Sequence, residues 1–280
     1  MTPDPELGFY GSTTDHSITL PSEDQSIKTE PMVAEAPGAM RLSDFAVLTM
    51  DCYGTLVDRE TGIVNALMPW LRDVGVSAGR GEILRAFGQA ERARLAEAPS
   101  LLYRDVLAHV HDALAEFFGV PADRTAAAAF ASSVKDWPVH SDVPGALAYL
   151  KEHFQLVVLT NADHASFMHT SEKLGVALDA VYTAEDVGSY KPDVRNFEYL
   201  QARLDDAGIS RDRALHVAGS IRFDHVPAKR VGMKTCWIHR PHHRSSNSGL
   251  RCRDLNVRPD FHFESLGALA DAYWADVGSA

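Results

Sequence analysis

Side chains that can attack, ionise or donate hydrogen bonds follow four short apolar runs of this sequence. In chain order they are Asp51, Thr160, Asn161, Lys191, Ser220 and Asp224. A carboxylate can attack an electrophilic centre and form an ester that water later hydrolyses. A neighbouring lysine keeps such a carboxylate ionised and stabilises charge that develops in the transition state. The set predicts covalent catalysis with Asp51 as nucleophile and Lys191 as its cationic partner.

Apolar runs that alternate with helical patterns must position these side chains. The runs cover 45–50, 155–160, 180–183, 214–218 and 234–238, and helical patterns cover 143–153, 166–174, 196–207 and 225–231. This alternation predicts βαβ units and an α/β, Rossmann-like parallel sheet flanked by helices. Ligands bind in the crevice at the carboxyl ends of such strands. We therefore expect the reactive side chains to meet at that edge of the sheet.

The stretch between the first two apolar runs has a different pattern. It is rich in alanine, and it predicts helices over 81–98, 103–118 and 122–134 without a convincing strand. We expect an inserted helical cap domain at 63–141, with a core domain formed by 41–62 and 142–280. Residues 1–40 hold seven acids against one lysine and show no sustained apolar periodicity. That segment is predicted to be a disordered acidic tail.

Four segments resemble the motifs of the haloacid dehalogenase-like (HAD) superfamily, in the same order and spacing. They are Asp51-Cys-Tyr-Gly-Thr-Leu-Val-Asp58, Leu159-Thr-Asn161, Ser189-Tyr-Lys-Pro-Asp193 and His216-Val-Ala-Gly-Ser-Ile-Arg-Phe-Asp224. The helical insert also lies where the 2-haloacid dehalogenase (type II) subgroup carries its cap. The resemblance implies the HAD fold and a hydrolase that works through an aspartyl ester.

The resemblance also implies roles for single residues near the nucleophile. Asp51 would be the nucleophile, and Lys191 and Asp224 the other catalytic residues, with Asp224 positioning the hydrolytic water or pairing with Lys191. Tyr53 would form part of the pocket wall. Gly54 permits a tight turn after the nucleophile. Thr55 is expected to stabilise that turn in a structural role.

Substrate contacts are expected from hydroxyl, amide and guanidinium groups. Thr160 and Asn161 would offer a hydroxyl and an amide to a bound carboxylate or leaving group, with a turn or cap as their alternative role. Ser220 could replace one fourth-motif contact of the dehalogenases, in a loop that is one residue longer here. The dehalogenases hold the departing halide with an arginine from the cap, and Arg92 and Arg94 are the candidates. Arg104 lies behind them in the sequence. We expect at least two of these three arginines to lie on a solvated helix face.

Two departures separate this chain from the phosphatases that dominate the superfamily. Those enzymes carry a second Asp two residues after the nucleophile, and here Tyr53 stands at that position. A phenol with a pKa near ~10 is a poor proton shuttle at neutral pH. Gly219 stands where the phosphatases have an acid that holds Mg²⁺, a cation that needs hard oxygen ligands. A halide leaving group requires neither an acid nor a metal, so no cofactor is expected.

The predicted function is therefore metal-independent hydrolytic dehalogenation of a small (S)-2-haloacid to a 2-hydroxy acid. A Mg²⁺-dependent phosphatase, hydrolysis of another activated carbon such as a C–N bond, and a repurposed binding module are the alternatives. Only the phosphatase alternative requires Mg²⁺. A small carboxylate is the expected ligand, and a homodimer is expected by resemblance.

Composition excludes several classes of partner. The formal charge of −11 argues against nucleic acid, which requires a basic stripe. No window approaches the ~20 apolar residues of a membrane span. The N-terminus lacks the basic and apolar segments of a secretory signal, and the three cysteines show no metal-type pairing. These features predict a cytoplasmic protein.

Overall fold

A six-stranded parallel sheet forms the centre of the computed structural model, which describes residues 40–240 and 257–278. The strands are β1 (Val47–Met50), β2 (Gln155–Thr160), β3 (Ala180–Thr183), β4 (Ala214–Ala218), β5 (Lys234–Ile238) and β6 (Phe261–Phe263). Their order is β3-β2-β1-β4-β5-β6. The five predicted strands and the Rossmann-like α/β class are confirmed, and β6 is an additional edge strand. The predicted tail lies outside the described residues.

The register of the sheet brings the carboxyl ends of its central strands to one level. Met50 of β1 pairs with Val158 of β2 on one side and with Val217 of β4 on the other. The strand order reverses between β1 and β4, which makes this the topological switch point where α/β sheets bind ligands. Asp51 follows β1 at that point.

Helices cover both faces of the sheet because alternate residues of the inner strands are apolar on each side. One face packs against α5 (Val143–Lys151), α6 (His164–Leu174) and α10 (Leu266–Gly278). The other face packs against α8 (Arg195–Asp206) and α9 (Val226–Arg230). A short helix, α7 (Ala184–Val187), follows β3. Among the described residues, no helix has the length and apolarity to cross a membrane.

Four helices, which we call the helical insert, lie between β1 and β2. They are α1 (Arg59–Asp73), α2 (Arg80–Glu97), α3 (Tyr103–Phe117) and α4 (Arg124–Ala131). The predicted helical character is confirmed, and α1 is a helix that the sequence pattern did not delimit. Asp58 caps α1, since its carboxylate accepts a hydrogen bond from the Thr61 amide. The cap and core boundaries at 62/63 and 141/142 stay a prediction.

The chain enters and leaves the insert along two segments that are hydrogen-bonded to each other. The Asp58 amide donates to the Pro138 carbonyl, and the His140 amide donates to the Leu56 carbonyl. Gly62, on the first turn of α1, lies against Trp137, and a Cβ at this glycine would be 2.3 Å from the indole. The junction is therefore closely packed and brings the insert directly above the turn that follows Asp51.

Candidate active site

Asp51 lies at the carboxyl end of β1 with a side chain that is almost wholly buried. One carboxylate oxygen, Oδ1, accepts a hydrogen bond of 2.7 Å from Lys191 Nζ. The other, Oδ2, accepts one of 2.6 Å from the Thr55 hydroxyl. Both oxygens are thus held in fixed directions, and 7% of the residue remains exposed. A carboxylate presented in this way can attack a substrate held above it.

Lys191 reaches the nucleophile from the loop that follows β3. Its ammonium group donates three hydrogen bonds, to Asp51 at 2.7 Å, to Asp224 at 2.7 Å and to the Leu159 carbonyl at 2.9 Å. An ammonium has three protons to donate, so this buried cation is fully satisfied. The predicted meeting of Asp51, Lys191 and Asp224 at the sheet edge is what the structure shows.

The two carboxylates that bind the Lys191 ammonium have pKa values that are shifted in opposite directions. Burial raises the pKa of Asp51, and the neighbouring Asp224 charge adds to the rise, while Lys191 and Thr55 oppose it. Burial acts in the same direction on Asp224, but Lys191 and His216 outweigh it and lower the pKa of Asp224 to about 2. Burial alone would lower the pKa of Lys191, but the two carboxylates raise it to about 12. The more basic carboxylate is therefore the one that lies in the nucleophile's position.

Thr55 links the nucleophile to the neighbouring strand. Its hydroxyl donates to Asp51 and accepts a hydrogen bond of 2.8 Å from the Gly219 amide, just after β4. Gly54 allows the turn, because its φ of +108° lies in a region that L side chains rarely adopt. The prediction that Thr55 only stabilises the turn was too narrow. The four-residue spacing from Asp51 returns its hydroxyl to the carboxylate.

Comparisons with known proteins agree with this geometry. A family model described as haloacid dehalogenase-like hydrolase matches residues 45–232. The chain belongs to the haloacid dehalogenase-like hydrolases. The (S)-2-haloacid dehalogenases of Pseudomonas putida and Pseudomonas fluorescens are each 28% identical to it over 104 residues. That match spans 36% of this chain and 44% of each relative's length.

Solved structures of HAD proteins share the fold at lower identity. The L-2-haloacid dehalogenase PA0810 superposes with a TM-score of 0.68 at 22% identity, over 82% of this chain and 99% of that one. The L-2-haloacid dehalogenase from Xanthobacter autotrophicus with covalently bound chloropropionic acid gives 0.64 at 18%, over 81% and 97%. The HAD hydrolase YfnB from Bacillus subtilis, bound to magnesium, gives 0.64 at 16%, over 82% and 98%. These likenesses show the fold alone.

The residues present in this HAD site do not fit the Mg²⁺ ion of the phosphatases. A Cβ at Gly219 would be 2.9 Å from the Gly54 carbonyl oxygen, so no larger side chain enters there without a backbone shift. Tyr53 carries a phenol where the phosphatases have a carboxylate, and its hydroxyl is hydrogen-bonded to the Thr170 hydroxyl at 2.8 Å. The described part of the chain contains no group of three or more His, Cys, Asp or Glu side chains suited to a metal. The site therefore lacks the carboxylate at position 219 that would help to hold Mg²⁺ in the phosphatases.

Three residues that were predicted to contact the substrate hold the backbone around the site, and their contact with a substrate stays a prediction. The Asn161 amide donates to the Lys191 carbonyl at 3.0 Å and accepts from the Lys191 amide at 2.7 Å. The Thr160 hydroxyl accepts from the Ala162 amide at 3.2 Å. The Ser220 hydroxyl accepts from the Phe223 amide at 3.1 Å. Asn161 therefore positions Lys191, while Thr160 and Ser220 cap turns, the alternative that the sequence analysis left open for Thr160.

The loop after β4, which the resemblance predicts to be one residue longer than in the dehalogenases, forms a turn of π-helix over Ile221–His225. Its first turn is capped by Ser220, and the His225 amide donates to the Ser220 carbonyl at 3.3 Å. A single inserted residue commonly forms such a turn, often at a functional site. Here the turn carries Asp224 back to Lys191.

The candidate arginines Arg92 and Arg94 both lie on α2, and their role stays a prediction. Arg94 pairs with Glu97 at 3.5 Å near the end of this helix, and Arg92 is half-buried. Arg59, at the start of α1, enters the interior and binds Glu91 at 2.5 Å. Tyr103 donates to the same carboxylate at 2.8 Å. Sequence reasoning missed this cluster because Arg59 and Glu91 are 32 positions apart and give no local signal.

Tyr103 also lines a cleft between the helical insert and the sheet. The cleft is bounded on the sheet side by Asp163, Glu185 and Tyr190. The Tyr190 hydroxyl donates to the Leu101 carbonyl across it. Tyr190 directly precedes Lys191 in the chain.

Proposed function

We propose that this protein catalyses metal-independent hydrolytic dehalogenation of a small (S)-2-haloacid. The observation that carries the proposal is the Asp51–Lys191–Asp224 network in a site where Tyr53 and Gly219 replace the acids of phosphate chemistry. Displacement of halide from carbon needs an ionised carboxylate but no acid for the leaving group. The names of the Pseudomonas relatives support the same substrate class.

The first step forms an ester on the nucleophile. A carboxylate oxygen of Asp51 attacks C2 of the haloacid from the side opposite the halogen. The C2–O bond forms as the carbon–halogen bond breaks, and the halide leaves with the bonding electron pair. Lys191 and Thr55 hold the attacking carboxylate, so its approach is oriented before the substrate binds.

The second step returns the free enzyme. A water oxygen adds to the carboxyl carbon of Asp51 while one of its protons passes to Asp224, and the resulting tetrahedral centre is stabilised by Lys191. Its collapse breaks the bond between that carbon and the substrate oxygen, which takes up the proton from Asp224. Asp51 then releases the second proton of the water to solvent, so the net products of the reaction are the 2-hydroxy acid, halide and one proton. C2 is inverted only once, so an (S)-haloacid gives an (R)-2-hydroxy acid.

Arg59 is our candidate for the cation that faces the departing halide or the substrate carboxylate, in place of Arg92 and Arg94. Asp51 and Asp224 outnumber Lys191 by one negative charge, so an anionic substrate needs a further cation. Arg59 is buried, and through Glu91 it is linked to Tyr103 on the cleft wall. Glu91 must share or release this guanidinium when an anion binds.

Halide release from L-2-chloropropionate in the presence of a chelator tests the proposed reaction. We expect (R)-lactate and chloride from the parent protein, and loss of both in Asp51→Asn by at least about 10³-fold, as expected for removal of a nucleophile. Chelator-sensitive hydrolysis of p-nitrophenyl phosphate without chloride release would instead support the phosphatase. Absence of both activities across a panel of haloacids would contradict the substrate class.

A further inference from the structure

A buried histidine lies behind the catalytic network, at a strand position where an apolar side chain would be expected. His216 is in the middle of β4, directly opposite Thr49 of β1 in the register of the sheet. Both residues are fully buried. Phe197 of α8 packs edge-on against the imidazole at 5.0 Å. An imidazole in such a layer is costly unless both ring nitrogens are hydrogen-bonded.

Both nitrogens of His216 do have partners, and those partners fix its tautomer. Nε2 lies 3.3 Å from Asp224 Oδ1, and Nδ1 lies 3.0 Å from the Thr49 hydroxyl. An ionised carboxylate only accepts hydrogen bonds, so Nε2 carries the proton and donates it. Nδ1 and the Thr49 hydroxyl form the second hydrogen bond of the ring. The imidazole thus joins β1 to Asp224 through two hydrogen bonds.

Lys191 and His216 donate hydrogen bonds to the same oxygen of Asp224. Both donors converge on Oδ1, at 2.7 Å and 3.3 Å respectively. The surroundings of Lys191 change during the reaction, because Asp51 is one of its two carboxylate partners. When Asp51 becomes an ester, it loses its charge and its strong attraction for the ammonium. His216 is a donor to Asp224 that this change leaves untouched.

We propose that His216, held between Thr49 and Asp224, is a positioning residue that orients Asp224 for hydrolysis of the aspartyl ester. The inference rests on the proposed function, since it assigns His216 to the second step. It predicts that the two steps respond differently to loss of the histidine. Ester formation depends on Asp51 and Lys191, whereas ester hydrolysis depends on the orientation of Asp224.

His216→Leu and His216→Gln test this assignment with L-2-chloropropionate. The leucine variant removes the donor at similar volume, and the glutamine variant retains an N–H group. We expect ester hydrolysis to slow about 10- to 100-fold in His216→Leu, as for a misplaced catalytic group, with ester formation changed less than about threefold. Acid-quenched samples analysed by intact-protein mass spectrometry give both rates. The ester should accumulate in His216→Leu, with partial rescue in His216→Gln.

Two threonines flanking His216 provide a matched pair of controls. Thr235 of β5 is its register partner on the other side, and within the described residues its buried hydroxyl has no hydrogen-bond partner. Thr49→Val should slow ester hydrolysis, whereas Thr235→Val should leave it unchanged. Equal slowing of both steps in His216→Leu, or equal effects of the two valine variants, would overturn the proposal and leave His216 a structural residue.

The tautomer can be measured without any substrate. In ¹⁵N-histidine NMR spectra of the resting protein, we expect Nε2 of His216 to carry a proton in the parent protein and in Thr235→Val. The ¹⁵N shift of Nδ1 should change in Thr49→Val, which removes the hydrogen-bond partner of that nitrogen, and should stay the same in Thr235→Val. An Nδ1–H tautomer in the parent protein would overturn the proposal whatever the substrate is. Conversely, an Nε2–H tautomer in a protein that forms no ester from any haloacid would contradict the proposed function alone.

Discussion

At the residue scale, Asp51 and Asp224 bind the same Lys191 ammonium but have different roles in the proposed reaction. The pKa of Asp51 is raised by burial and by Asp224, which makes it the better nucleophile of the pair. The pKa of Asp224 is lowered to about 2 because Lys191 and His216 outweigh its own burial, so in the resting protein it is ionised and it holds the proton of the hydrolytic water only transiently. The macroscopic titrations belong to the pair. Small changes around Asp51 should therefore move the acid limb of the activity profile.

Thr55→Val should move that acid limb to higher pH. The reaction requires ionised Asp51, and the Thr55 hydrogen bond lowers the pKa of this carboxylate. Removing the hydroxyl therefore raises the pKa further, so kcat/KM falls at a higher pH as the solution is acidified. The limb of a kcat/KM profile reports the free enzyme, so the shift is read directly from a pH series.

Thr55→Ser is the matched control because it keeps the hydroxyl. Its acid limb should coincide with that of the parent protein, even if the lost methyl group changes the absolute rate. An identical limb in Thr55→Val would show that this hydrogen bond does not influence the ionisation of Asp51.

At the scale of elements, the junction between sheet and insert depends on close contact at Gly62. An alanine there would place its Cβ 2.3 to 2.7 Å from Trp137 side-chain atoms, whereas an alanine at Gly145 in α5 would meet nothing within 4 Å. Both substitutions replace a glycine by alanine, so both reduce the backbone entropy that is lost on folding. We expect Gly62→Ala to lower the free energy of unfolding by about 1–3 kcal/mol. Gly145→Ala should raise it by about 0.5–1 kcal/mol.

Urea unfolding curves of the two variants measure this difference. Gly62→Ala should also reduce halide release, because it displaces Trp137. The Trp137 ring packs edge-on against the ring of Tyr53, which lies beside the nucleophile, with 5.7 Å between the ring centroids. Equal stability of the two variants would mean that the junction rearranges without cost.

The sequence allowed most of the fold to be predicted, because each inner strand is a continuous apolar run buried on both faces. β6 was missed because three residues are too short for a pattern, and its position is set by pairing with β5. The catalytic trio could be predicted since strand ends share one edge. The roles of Thr160, Asn161 and Ser220 could not, because the direction of a loop side chain depends on backbone geometry that spacing does not encode.

At the scale of the whole molecule, two buried neutral histidines make stability depend on acidity. Burial lowers the pKa of His225 to about 4, and it also lowers the pKa of His111, against the opposing effect of Asp112 and Asp123. An unfolded chain protonates these groups near the ordinary value of 6.5. The unfolded state thus gains protons first as the pH falls, so stability is full above pH 6.5 and declines towards pH 4.

His111→Phe should reduce this acid sensitivity. Both nitrogens of His111 are buried without a hydrogen-bond partner in the described part of the chain, and its ring packs on Trp70 and Phe130. A phenyl ring keeps the packing and removes the titration. We expect the stability lost between pH 7.5 and pH 5, measured by urea unfolding, to be smaller in the variant. A loss equal to that of the parent would contradict the assignment.

The predicted homodimer and the cytoplasmic location stay predictions. Light scattering on the purified chain checks the dimer directly.

The contact between Gly219 and the Gly54 carbonyl has a consequence for how this site can evolve. A lineage that regained phosphate chemistry would need an acid at position 53, an acid at position 219 and a displaced turn to make room for it. Each change alone gives no working metal site, and the second alone disturbs the nucleophile's turn. A stepwise route between the two chemistries therefore passes through variants that lack a working metal site and have a disturbed turn at the nucleophile.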